Sequence, residues 1–135
     1  MRRSFKYRVK LSKEAEATCI QWLDLCRTLY NLALEQRIMV YEQSKKSIFY
    51  YDQCYQLPEF KKAFSDFAKV SAQCLQDVLG RLDKAYQNFF RRVKLKQGKP
   101  GFPRFKSANR YNSFSLNKVV GNLKEGIYIL VRLED

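Results

Sequence analysis

The chain has 135 residues, room for one domain or one domain with an insertion, and it carries 26 Lys and Arg against 13 Asp and Glu, no His, and a net charge of +13. The missing imidazole excludes a His-based triad, a histidine general base and a His-containing zinc site. Hydrophobic residues make up 46% of the chain, enough for a core, while 5 glycines and 3 prolines are too few for a low-complexity or collagen-like sequence.

Phe5, Tyr7, Val9 and Leu11 alternate with Lys6, Arg8 and Lys10, the period of a half-buried strand with a cationic face. Ser12 offers a helix N-cap, and Glu14 and Glu16 follow in the first turn, where the helix dipole favours anions. The spacing predicts a helix to about Gln43, with Cys19, Leu23, Cys26, Tyr30, Leu34, Ile38 and Tyr41 as its apolar stripe. Ser44-Lys45-Lys46 is a break. A second helix is predicted over Ile48 to Leu57, stopped by Pro58, and a short helical piece over Glu59 to Phe67. Ser65 or Asp66 then caps a long helix from about Ala68 to Lys96, with Val70, Cys74, Val78, Leu82, Tyr86, Phe89 and Val93 as its stripe.

Gly98, Pro100, Gly101 and Pro103 end the helical region in a loop. Strands are predicted over Ser113 to Val120 and Ile127 to Leu133, joined by a Gly121-Asn122 turn. The pattern is α+β: one strand (1–12), a helical insertion with two long helices (13–98), then a basic loop and further strands (99–135).

Fourteen of the 26 basic residues lie in two segments, Met1 to Lys13 and Arg91 to Arg110, and neither segment contains an acid. The remainder is nearly neutral. Such acid-free segments are the footprint of a polyanion-binding surface, against the plainer reading of charge for solubility. Phe5, Tyr7, Phe102, Phe105, Tyr111 and Phe114 interleave with the cations. They suit base stacking, or ordinary strand and core packing.

Cys19, Cys26, Cys54 and Cys74 form no C-x-x-C pair and read as reduced, core-filling thiols, so no metal site is expected from them. No apolar run approaches the ~18 residues of a membrane span, and MRRSFKYRVK has no apolar signal core. A cytoplasmic protein without a membrane partner is expected.

Three blocks carry a family resemblance. Cys26-Arg27-Thr28-Leu29-Tyr30-Asn31-Leu32-Ala33-Leu34 resembles the C-R-x-x-Y-N-x-x-L signature of TnpB (OrfB) proteins of bacterial insertion sequences. Leu82 to Arg91 resembles their A-[YF]-x-x-F-F-R helix end. Gly101-Phe102-Pro103-Arg104-Phe105-Lys106, followed by Tyr111 and Ser113-Phe114, resembles their G-x-P-R-F-K … Y-x-S-F segment. The family is similar to compact type V CRISPR nucleases. The resemblance implies a small β-barrel-like wedge, built from the N-terminal and C-terminal strands and interrupted by a helical, helix-turn-helix-like recognition insertion. It implies guide RNA and target-adjacent DNA as partners, together with the rest of a nuclease chain. It places the RuvC-like carboxylates, their divalent metal and a zinc ribbon in a C-terminal region beyond this sequence. The chain itself is expected to be a fragment that binds without cutting and holds no cofactor.

Backbone phosphates are assigned to Lys6, Arg8, Lys10, Arg91, Arg92, Lys94, Lys99, Arg104 and Lys106. Base or polar contacts are assigned to Lys69, Gln73, Gln76, Asn112 and Ser113, glutamine being suited to adenine and Asn112 and Ser113 to polar contacts after the basic loop. The signature residues Arg27, Tyr30, Asn31, Phe102, Pro103, Phe105 and Phe114 come with the resemblance. Arg27 and Asn31 read two ways, as internal hydrogen bonders or as RNA contacts. Two rivals to a nuclease portion remain: a stand-alone DNA-binding regulator, and a helical interaction module whose basic ends meet an acidic protein or membrane surface.

Overall fold

A computed structural model describes residues 12–96, 98–120 and 123–130, with side chains as far as Ser115. The first helix, α1 (Lys13–Ser44), starts where the sequence places its cap: Ser12 Oγ accepts from the Ala15 N–H at 3.2 Å. It ends at Lys45, which is left-handed (φ 56°) and donates its N–H to Tyr41 O at 2.8 Å. The apolar stripe is followed through Leu34, then leaves the prediction. Ile38 and Tyr41 are exposed, and Arg37 takes the inward position instead, 5% exposed.

The second helix, α2 (Tyr50–Ala63), is entered at Phe49, whose N–H donates to the Asp52 carboxylate at 2.8 Å. Pro58 does not stop it, contrary to the sequence reading. A helical proline costs roughly 3 kcal/mol, mainly through a lost N–H bond and a clash one turn back. Here Leu57 is buried, and Phe60 lies against Phe67 with ring centres 4.7 Å apart, so continuing the helix keeps both rows packed.

A 3-10 turn (Ser65–Lys69) and an extended Val70, itself buried, precede α3 (Ala72–Leu95). The long helix therefore begins after Ser71 rather than at Ala68, and neither Ser65 nor Asp66 caps it. Lys96, left-handed at φ 52°, ends it.

Strands β1 (Ser113–Val120) and β2 (Leu123–Leu130) pair antiparallel, with Ser113 opposite Leu130 and Val120 opposite Leu123. The second strand thus starts earlier than predicted. The expected barrel-like wedge is corrected: the described residues are mostly helical, and their β structure is this hairpin alone. Two strands cannot close on themselves, and a hairpin needs a neighbouring surface to be stable. That surface is α3, where Cys74 Sγ donates to Ser115 O at 3.4 Å. The predicted first strand with Lys6, Arg8 and Lys10, the Gly121-Asn122 turn and residues 131–133 lie outside the described residues.

The core is the seam between α1 and α3, closed by α2 on one side and by the start of β1 on the other. Leu34, Leu75, Val78, Leu79 and Leu82 fill it, with Cys26 and Cys74 fully buried among them. Burial pushes the Cys26 thiol up from 9.0 to about 12, with nearby Cys74 adding to the effect, and pushes Cys74 up to about 11. Burial also raises Tyr50 to about 12, with Cys54 adding to the effect. Unfolding exposes these groups to water, where the thiols ionise near pH 9, so above that pH the unfolded chain binds fewer protons than the folded one. Stability is expected to be full below pH 9 and to fall between pH 9 and 12, as read by urea unfolding at stepped pH. A Cys26→Ala, Cys74→Ala variant should have a shallower alkaline limb. An unchanged slope would refute the assignment.

Candidate nucleic-acid interface

Arg81, Lys84, Asn88 and Arg92 recur at i, i+3, i+7 and i+11 along α3, one stripe flanking the buried face. At its N-terminal end the stripe is structural. Arg81 Nη1 donates to Ser113 O at 2.8 Å and to Ser113 Oγ at 3.2 Å, and Nη2 donates to Ser115 Oγ at 3.2 Å. Arg81 Nε also pairs with Asp77 at 2.9 Å. This guanidinium fastens the hairpin to α3 and sits 5.4 Å from the centre of the Tyr111 ring.

The loop from Gly98 to Asn112 is fixed at a second point. Asn31 Nδ2 donates to Lys106 O at 3.0 Å, and Asn31 Oδ1 accepts from Lys106 N–H at 2.8 Å. The amide grips both sides of one residue's backbone, 75 positions away in sequence. Its side chain is thus committed inside the protein. Arg27, one turn earlier, is half-buried, pairs loosely with Asp24 at 3.9 Å, and has a buried Nε without a hydrogen-bond partner among the described residues.

Between the stripe and the clamped loop opens a cleft of about 300 Å³, lined by Tyr30, Arg81, Lys84, Ala85, Asn88, Lys106, Arg110, Tyr111, Asn112 and Ser113. No acidic residue lines it. Tyr30 and Tyr111, both buried, have ring centres 6.0 Å apart, and Lys106 Nζ lies 5.9 Å from the Tyr30 ring centre. Burial raises the Tyr111 hydroxyl well above the ordinary tyrosine value, against the lowering effect of Arg81.

The structure thus brings Lys106, Asn112 and Ser113 together at one cleft, and adds Arg81, Lys84, Asn88 and Arg110, which sequence reasoning passed over. A helical-wheel plot of α3 for acid-free rows would have found Lys84 and Asn88. Arg110 already stood in the basic segment.

Arg91, Arg92 and Lys94 project exposed from the last turns of α3, and Lys99 and Arg104 from the loop after it. Phe102, 68% exposed, stacks on Phe89 at 4.3 Å and 28°. Phe105 is exposed as well, and Pro103 half-buried. Phe114 is instead core, tilted against Trp22 at 5.7 Å. Gln73 and Gln76 are exposed at the opposite end of α3, and Lys69, exposed in the 3-10 turn before it, pairs with Asp66 at 3.6 Å. At the helical rise of about 1.5 Å per residue, Gln73 and Arg92 stand roughly 28 Å apart. The two groups cannot touch the same nucleotide.

Other acids also have local partners: Asp52 caps α2, and Asp83 pairs with Arg37 at 3.0 Å. Among the described residues no group of three or more His, Cys, Asp or Glu side chains converges. No described helix is long and apolar enough to cross a membrane.

A protein family described as a helix-turn-helix domain, that of OrfB proteins, matches residues 1–46. The described part of that stretch is α1 and its C-cap, one uninterrupted helix. A Streptomyces pristinaespiralis protein provisionally named RNA-guided DNA endonuclease is 31% identical over 112 residues, covering 82% of this chain and 26% of the relative. An Escherichia coli K12 protein provisionally named RNA-guided DNA endonuclease InsQ is 31% identical over 113 residues, covering 82% of this chain and 27% of the relative. The chain spans about a quarter of the length of these relatives.

Proposed function

We propose that this chain, a relative of the OrfB (TnpB) proteins of insertion sequences along most of its length, is a nucleic-acid-gripping portion of an RNA-guided DNA endonuclease. The observation that carries the reading is the acid-free cationic surface running from the cleft along the C-terminal half of α3 into the following loop. Its cations reach phosphates and supply affinity without reading sequence. Exposed Phe102 and Phe105 add faces on which unpaired bases can stack. Guide RNA and the DNA beside its target are the partners, and the chain contributes grip and placement.

A salt titration tests this. Binding to a structured RNA and to a DNA duplex should weaken steeply as salt rises, with a log–log slope of several units, because each neutralised phosphate releases about 0.7–0.9 counterions. Absence of binding at low salt to both would end the proposal.

A further inference from the structure

We propose that the cleft between α3 and the clamped loop seats one unstacked nucleotide of a single strand. This rests on the reading above and gives that surface a base-binding point. Lys84, Lys106 and Arg110 line the cleft, and among the described residues none is within 4 Å of a carboxylate, so all three are free for a phosphate. Asn88 and Asn112 line it too, and among the described residues neither amide is spent on a hydrogen bond. Each offers a donor and an acceptor side by side, the pattern that matches a base edge.

Size decides between a nucleotide and a helix. The cleft, about 300 Å³, lies at the small end of ligand pockets, roughly 300–1,000 Å³. It has room for a base and its phosphate, and none for a base pair. The buried rings of Tyr30 and Tyr111 line it beside Ala85. A phosphate-only site would need neither the amides nor those rings. The cleft is held open from two sides, by Asn31 on the Lys106 backbone and by Arg81 on Ser113, so the site is formed before a ligand arrives.

The test compares strands of about twelve nucleotides: oligouridine, oligothymidine and a strand of equal length with abasic sites throughout. Affinities are read by fluorescence anisotropy at low salt. The wild-type chain should prefer a base-bearing strand over the abasic one by about tenfold. An Asn88→Ala, Asn112→Ala variant with unchanged thermal unfolding should lose that preference and keep its abasic affinity. The oligouridine and oligothymidine arms show whether RNA or DNA is the better source of the nucleotide. Equal binding of base-bearing and abasic strands by the wild type would overturn the proposal, leaving a phosphate groove. An undiminished preference in the variant would also overturn it, placing the base elsewhere. If no strand, duplex or structured RNA binds, it is the broader nucleic-acid reading that fails.

Discussion

Replacing Asp83 with alanine is expected to cost about 3–5 kcal/mol of stability, because it strands a buried charge. Arg37 is 5% exposed on α1. Its Nη2 donates to Asp83 on α3 at 3.0 Å, its Nε donates to Gln53 on α2 at 2.9 Å, and its guanidinium lies 4.8 Å from the centre of the Tyr86 ring. Gln53 extends the network, donating to Ala33 O at 2.9 Å. Asp83 also accepts from the Tyr50 N–H at 3.2 Å, so it anchors the first turn of α2. Without Asp83 the guanidinium keeps a single neutral acceptor. A paired Arg37→Met, Asp83→Leu variant should lose much less than either single change, since it removes the charge with its partner. Urea unfolding of the three variants checks this. A loss below 1 kcal/mol for Asp83→Ala would show that water reaches Arg37 and that the network is not what docks α2.

Reversing Arg91 and Arg104 together to glutamate should weaken nucleic-acid binding on the order of a hundredfold at low salt and flatten the salt dependence by about 1.4–1.8 in log–log slope. Both side chains are exposed, so stability should stay within about 0.5 kcal/mol of the wild type. The slope is the more telling readout. A misfolded variant loses affinity at every salt concentration, whereas lost phosphate contacts change the slope itself. Full affinity with an unchanged slope would move the interface away from the end of α3.

Local chemistry was readable along the chain, and cross-chain chemistry was not. Ser12, Glu14 and Glu16 announce the start of α1 because capping depends on neighbours three residues away. The stripe of α3 from Cys74 to Tyr86 follows from period alone. Arg37 defeated the same logic on α1. A buried arginine is intelligible only once Gln53 and Asp83 arrive from other helices, and nothing in their spacing foretells the meeting. Pro58 failed for a related reason, since a local penalty was outweighed by the packing of Leu57 and Phe60. The barrel-like wedge came from resemblance, and the described strands form only a hairpin. In the interface, the charge clusters were visible as composition. The separation of Gln73 from Arg92 along one helix, and the gathering of Lys84, Asn88 and Arg110 around one cleft, needed the fold.

The grip of Asn31 falls on the N–H and C=O of residue 106, in the two peptide units that flank it, and ignores the side chain between them. The path of the loop is therefore insulated from the identity of residue 106. Mutational drift at that position can trade lysine for arginine, glutamine or an aromatic ring without re-routing the backbone. Asn31 itself has no such latitude, because aspartate, its isostere, presents no donor to the carbonyl. Among diverging descendants of this chain, variation in preference should accumulate at position 106, while position 31 stays fixed.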